Sequence, residues 1–399
     1  MPAPLIMAIR RSTHRLVLVN IKYSLATLNA SRCYCNSKAA FYQFPKERVP
    51  LYANQDGPYH WEEKVDSLRQ LVRLDRTVSE QDIRDFINTY KDTLISPDIG
   101  MMMHGMAKKR IRLDNETMKF CAEVLHYKTR KVNLIHVVKC FQGLRCFRDD
   151  ADSAVINLYL AYLTRILDNK TVQLDFTSQA VGNCFFALQR IDSNQEGVDD
   201  LLDMLHDALS SCKQQLNSQE IGNALYGLQR MYGSGRSVRE VLSVMSEKVR
   251  LSEAVLDNQA IGNALYGLQC MDSNEKEVQE MLWVMSEKIR ESDAVLSGQT
   301  IGNALYGLRC ASSKEQEVRD VLSALSEKIS KTTAPMDWQN LGMAMYGLRG
   351  MCSRDAEVRT MLSALSCKIR ESGSEMDEQA IGMTVYGLQR MKSTVAEVR

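Results

Sequence analysis

The nine residues IGNALYGLQ occupy positions 221–229, return letter for letter at 261–269, and reappear in their first eight letters at 301–308. With Ile221 as reference, equivalent apolar residues stand at Val181, Ile261, Ile301, Leu341 and Ile381, each 40 positions from the next without an insertion. Two degenerate copies precede them, IGMMMHGM from Ile99 and VVKCFQGL from Val137, with spacings of 38 and then 44. A fixed period of this size marks supersecondary units that cannot bury their apolar faces alone and must stack.

Each unit carries two helical patterns. In the unit around Ile261, Asp257 is a fitting N-cap for a first helix, A, over about 258–270, and Asn217, Ser297, Asp337 and Asp377 are capping types at equivalent places. A turn such as YGSG (232–235) or DSNE (272–275) follows, then a second helix, B, for example KEVQEMLWVMSEKIRES (276–292). There Val278, Met281, Leu282, Met285 and Ile289 share one face, with Glu280, Glu287 and Arg290 opposite. Core filling is the reading for Met245, Met281, Met285 and Met361, and the recurrent SEK (246–248, 286–288, 326–328) reads as a solvated helix end.

The expected fold is therefore all-α, an α-solenoid (superhelix) of about eight two-helix repeats over 95–399. Residues 46–94 form an N-terminal helical cap, with a helical pair over 60–92. The chain ends at AEVR, where helix B of the eighth unit opens, so the last repeat is expected to be truncated and its helix A to expose apolar surface. A content of 7 Pro against long Leu/Met/Glu/Lys/Arg stretches agrees with helix throughout, and no run is apolar for long enough to span a membrane.

Charge is unevenly placed. The first 46 residues hold Arg10, Arg11, Arg15, Lys22, Arg32, Lys38 and Lys46 and no acid, which leaves the remainder with an acidic excess. Any polyanion site must then be local. An Arg-rich, Ser-containing, acid-free start is the composition of an organelle-targeting presequence (transit peptide), assigned here to 1–45, and RCY/CNS at Arg32–Ser37 fits mitochondrial processing after Tyr34. The expected location is the mitochondrial matrix, with plastid or cytoplasm as alternatives.

On a helical wheel, Ile261, Ala264, Leu265, Leu268 and Met271 form the core face of helix A, while Gly262, Ala260 and Gly267 lie on its flanks, where small residues allow neighbouring A helices to approach. Gln259, Asn263, Tyr266 and Cys270 form a stripe opposite the core. Stacked at a constant period, the stripe becomes columns: Gln179, Gln219, Gln259, Gln299, Gln339 and Gln379; Asn183, Asn223, Asn263 and Asn303, then Met343 and Met383; Phe186, Tyr226, Tyr266, Tyr306, Tyr346 and Tyr386. Its basic members are Lys108, Arg190, Arg230 and Arg390, replaced elsewhere by Cys270, Cys310 and Gly350.

Amides that read base edges, rings that stack on bases and arginines for phosphate are the ingredients of single-stranded RNA recognition. The structural alternative is that Gln and Asn bond to each other or to the preceding backbone, and that Tyr packs between A helices with only its hydroxyl exposed. The 11 cysteines contain no CxxC, the six histidines are scattered, and no phosphate loop or metal motif occurs, so no catalytic function, cofactor, metal site or small-molecule substrate is expected.

The pattern Q-x-[IL]-G-N-x-L-Y-G-L, carried by Gln219, Ile221, Asn223, Leu225, Tyr226 and Leu228 and their counterparts, resembles the octotricopeptide repeat, Q-x-L-A-N-x-L-W-A-x-A-x-L. It is also similar to the repeats of organellar RAP-domain proteins and of the kinetoplastid mitochondrial RNA-editing substrate-binding complex. Gly222 and Gly227 stand where that pattern has Ala, and Tyr226 where it has Trp. The resemblance implies non-catalytic organellar RNA binding in transcript processing, stability, editing or translation, with organellar RNA-processing or ribosomal proteins as possible partners. The alternative reading is an armadillo- or HEAT-like protein-binding scaffold in an organellar complex.

Overall fold

A helix this short needs a cap at its start and a neighbour on its flank, and the chain supplies both at a constant interval. The computed structural model describes residues 58–399, apart from positions 74, 76, 129–132, 169–173, 334, 373–375, 393 and 399. The stretch 1–45, read above as a presequence, and the part of the expected 46–94 cap before residue 58 lie outside the described residues.

Two helices come first, α1 (Pro58–Val72) and α2 (Glu80–Tyr90), followed by alternating A and B helices. The pairs are α3 (Ser96–Lys108) with α4 (Asn115–Tyr127), α5 (Leu134–Gln142) with α6 (Ser153–Leu167), α7 (Ser178–Ala187) with α8 (Val198–Ser211) and α9 (Ser218–Gly227) with α10 (Arg236–Leu251). Then come α11 (Asn258–Gly267) with α12 (Lys276–Glu291), α13 (Gly298–Gly307) with α14 (Gln316–Lys331) and α15 (Trp338–Gly347) with α16 (Ala356–Glu371). The helix α17 (Glu378–Gly387) is followed by a short 3-10 turn at Ala396–Val398, packed on α16. Each A helix packs on the next A helix, and each B helix on the next B helix, so the described chain is a two-layer α-solenoid.

The caps explain where the A helices begin. Side chains of Thr177, Asn217, Asp257, Ser297, Asp337 and Asp377 each accept a hydrogen bond from the backbone N–H three residues on. Their far ends differ from the expected 258–270: α11 stops at Gly267, and the next residues tighten to three-residue closure, with Leu268 N–H donating to Leu265 O and Met271 N–H to Leu268 O. At three residues per turn rather than 3.6, side chains beyond Gly267 rotate away from the positions an α-helical wheel gives them. Gln269 is thereby buried.

The core is the one the apolar periodicity marks. Ile261, Ala264, Leu265, Leu268 and Met271 are buried, as are Val278, Met281, Leu282, Met285 and Ile289 on α12. In α9, α11, α13 and α15 the fifth- and tenth-position glycines face opposite neighbours. A Cβ on Gly267 would stand 1.9 Å from the Leu225 carbonyl oxygen of the preceding unit, and one on Gly222 would stand 2.7 Å from Ala260 Cα of the following unit. Gly227, Gly307, Gly347 and Gly387 repeat the carbonyl approach of Gly267.

The SEK motif is not a solvated helix end. Ser246, Ser286 and Ser326 are buried, and the lysines reach back to the C-terminal end of the preceding B helix. Lys248 Nζ donates to Cys212 O at 2.6 Å and Lys288 Nζ to Ser252 O at 2.7 Å; Lys328 and Lys368 bond Ser292 O and Thr332 O in the same way. An ammonium at a helix C-terminus satisfies carbonyls that the helix cannot and meets the negative end of its dipole. Only the Glu of the motif points outward, being half-buried at 247 and exposed at 287 and 327.

Gly382 on α17 repeats the position of Gly222 but has nothing within 4 Å of a built Cβ. This isolates packing from helix propensity. Gly267→Ala is expected to lower stability by ~3 kcal/mol or more, because a backbone carbonyl must move. Gly382→Ala is expected to raise it by ~0.5–1 kcal/mol. Urea unfolding of the two variants measures both, and equal effects would rule out the close-approach explanation.

Candidate nucleic-acid interface

The stripe opposite the core remains one surface along α7, α9, α11, α13, α15 and α17, but its members behave differently. Gln179, Gln219, Gln259, Gln299, Gln339 and Gln379 each occupy the second residue of an A helix and are exposed. Asn183, Asn223, Asn263 and Asn303 lie two turns in from the cap on the same face and are half-buried, with Met343 and Met383 continuing their column. None of these Gln or Asn side-chain amides has a hydrogen-bond partner among the described residues. Mutual pairing, the structural alternative for these amides, is therefore absent from the described chain.

The aromatic column does pair with itself. Phe186 and Tyr226 are 5.8 Å apart between ring centroids, and Tyr226, Tyr266, Tyr306, Tyr346 and Tyr386 follow at 5.6, 5.7, 5.7 and 5.4 Å with interplanar angles of 18–23°. A base inserted between two rings needs about 7 Å, two contact distances of ~3.5 Å. The ring faces are thus occupied, and base stacking between tyrosines gives way to a ladder that holds the A helices in register. Tyr346 is only 7% exposed. Repeats related by one screw operation are closest together nearest its axis, and packed helix axes stand ~8–10 Å apart. Rings recurring at 5.4–5.8 Å therefore lie on the inner side of the bend.

The 3-10 tightening brings in arginines that a continuous wheel misses. The Arg309 guanidinium lies 4.7 Å over the Tyr306 ring, hydrogen-bonds its hydroxyl, and donates through Nε to Gln269 O at 3.1 Å. Arg349 repeats this over Tyr346 at 4.8 Å, with Nε to Arg309 O at 2.8 Å. Arg145 lies 4.9 Å over Phe186. The sequence signal for all three was their place three residues after the aromatic position, Arg145 counting from Gln142.

Of the predicted basic members, Arg190 is half-buried and bonded to Asp149, Arg230 is exposed and reaches the same carboxylate at 3.9 Å, and Arg390 is exposed on the turn after α17. Lys108 is exposed at the end of α3. Cys270 is half-buried with its thiol beside Arg309 Nη2 at 3.3 Å, and Cys310 is exposed.

One buried cluster has the residue types of a nucleophilic site. His136 Nε2 is 2.9 Å from the Tyr162 hydroxyl and 3.4 Å from Cys140 Sγ. Burial pushes the Cys140 thiol up to about 12, and burial followed by the charge of Lys139 pushes His136 down to about 4. Both stay neutral near pH 7, so the cluster packs α5 against α6 and has no activated nucleophile.

No protein-family model matches the chain, and no curated protein matches it.

Replacing Tyr266 by Leu removes two ring contacts at ~0.5–1.5 kcal/mol each, so urea unfolding is expected to show a loss of about 1–3 kcal/mol; an unchanged midpoint contradicts the ladder. His104 is also held at about 4, by burial and then by Lys108, Lys139 and Arg145. For His104 and His136 the folded pKa lies below the unfolded value near 6.5, so the unfolded chain takes up protons that the folded chain refuses. Stability from this source is complete above about pH 6.5 and declines toward pH 4. Melting temperatures across that window should fall less for His136→Asn than for the unaltered chain.

Proposed function

We propose that this chain is a non-catalytic, RNA-binding helical-repeat protein that holds an extended single strand along the inner face of its A layer. One observation carries the reading: two parallel columns of side-chain amides, Gln179 to Gln379 and Asn183 to Asn303, run along one surface with no hydrogen-bond partner among the described residues. An amide offers both donor and acceptor to a base edge, and a constant repeat spacing presents a Gln/Asn pair in each of the four units from α7 to α13. The tyrosine ladder supports this by fixing the spacing, not by taking up bases.

The octotricopeptide-like pattern and the Arg-rich, acid-free start support an organellar role for this activity, the mitochondrion first, in transcript processing, stability, editing or translation. The covered ring faces and the acidic excess favour a second reading, in which the same amides bind the main chain of an extended polypeptide and the solenoid is a scaffold.

Asn223→Ala/Asn263→Ala/Asn303→Ala tests the carrying observation, since alanine favours helix at these positions. At ~1 kcal/mol per hydrogen bond lost, affinity for an oligouridylate should fall on the order of 100-fold while the melting temperature holds. Crosslinking from purified organelles separates the readings: recovery of RNA supports the proposal, and recovery of protein with no RNA turns it to the scaffold.

A further inference from the structure

The stripe changes chemistry toward its N-terminal end. In the two degenerate units, the positions that later hold Tyr, Arg and Asn hold His104, Lys108 and Lys139. Lys108, Lys139 and Arg145 all act on the His104 imidazole, whose Nδ1 is buried without a hydrogen-bond partner. Next along the stack, Arg112, Arg190 and Arg230 converge on one carboxylate: Arg112 Nη1 is 3.6 Å and Arg230 Nη2 3.9 Å from Asp149, and Arg190 bonds it directly.

Asp149 is the one acid in ion-pair contact with these cations among the described residues, and its side chain is 73% exposed. A solvated carboxylate is a weak reason to gather three guanidinium groups. Their mutual repulsion bears on Arg190, which burial and then Arg112 disfavour as a cation, and whose Nε is buried and unpartnered. The backbone adds an independent mark. Arg110 has φ 59°, the one non-glycine residue with positive φ among the described residues, where Ile111 N–H closes back on Met106 O. Glycine is usual at such a helix end, and a residue with a Cβ is disfavoured there; this arginine acts on Arg145. Arg145 lies over Phe186 and donates through Nη1 alone to Gln142 Oε1, and Arg230 donates through Nη1 to Arg190 O. By contrast Arg309 and Arg349, further along, spend all three guanidinium nitrogens on a tyrosine hydroxyl, a backbone carbonyl and a cysteine thiol.

We infer that the N-terminal end of the stripe is a phosphate clamp. In it Arg112, Arg145, Arg190 and Arg230 hold successive phosphates of the strand whose bases meet the amide columns, which anchors the strand at one end. Asp149 keeps the guanidinium groups in place until phosphate oxygens replace it. This rests on the RNA reading above, and it confines the guanidinium contacts to the first four units, two of which also carry amides of the base-reading columns.

The test uses the full chain and a 3′-fluorescein oligouridylate of about 20 nucleotides, with anisotropy followed over a sodium chloride series. Arg112→Gln/Arg230→Gln alters two accessible side chains in loops. It should weaken binding roughly 10-fold and reduce the slope of log Kd against log salt by ~1.4, two contacts at ~0.7 each. Arg112→Lys/Arg230→Lys should keep the slope, and the triple asparagine variant should lose affinity at unchanged slope. A folded Gln variant that binds RNA with the unaltered slope overturns the clamp. If the unaltered chain binds no RNA, the RNA reading fails by itself, and calorimetry with inorganic tripolyphosphate decides the clamp: one-to-one binding lost in the Gln variant sustains it, and no binding by the unaltered chain overturns it.

Discussion

The approach of each Tyr-Gly glycine to the carbonyl of the preceding A helix sets the geometry of everything around it. A Cβ on Gly227, Gly267, Gly307, Gly347 or Gly387 would lie 1.9 Å from a backbone oxygen, so the two backbones are in direct contact with no side chain between them. Contact at that range leaves no freedom to slide: a shift of one residue would bring Tyr or Leu against the same carbonyl. Register is therefore fixed at the five interfaces from α7–α9 to α15–α17 by the same steric condition, and the side chains on the open face fall into straight columns. The tyrosine ladder is the first consequence, and the unpartnered amide columns are the second.

The two layers solve the stacking problem by different means. A helices meet closely, through glycine, alanine and backbone. B helices are longer and meet through polar reach as well as apolar side chains, the three SEK lysines and Lys368 at the equivalent place each donating to a carbonyl at the C-terminal end of the helix before it. Serines complete the pattern: Ser252 and Ser292 donate to Leu216 O and Leu256 O, and Ser273, Ser313 and Ser353 accept from the backbone of the next unit. Hydrogen bonds between units thus satisfy groups that helix ends leave open, and the fixed polar letters of the repeat are largely accounted for in this way. The Gln and Asn columns are the fixed polar letters left without such a role.

Much of this was legible before any coordinates. The period gave the solenoid, the capping residues gave the starts of the A helices, and the alternation of apolar positions gave the core from Ile261 to Met271 and from Val278 to Ile289. The errors have physical causes. Lys288 looked like solvent-facing charge because a lysine stem and its ammonium are read alike from sequence, whereas its partner, Ser252 O, lies 36 residues away and is a backbone atom without a sequence signature. Arg309 and Arg349 fell off the stripe because the wheel assumed 3.6 residues per turn beyond Gly307 and Gly347, where the chain winds tighter. Arg112 and Asp149 belong to loops, for which no wheel applies.

By itself the sequence determined that the chain stacks, with what period, through which face, and with which residues on the opposite surface, because all of these follow from local periodicity and capping. Tertiary structure decided what those surface residues are free to do. Tyr226 and Asn223 stand three residues apart on one helix, yet the ring is sealed between its counterparts at 5.6–5.8 Å while the amide is left without a partner. The difference arises between repeats: only the distance from one unit to the next, set by a glycine against a carbonyl, determines whether a column of like side chains closes on itself or stays open.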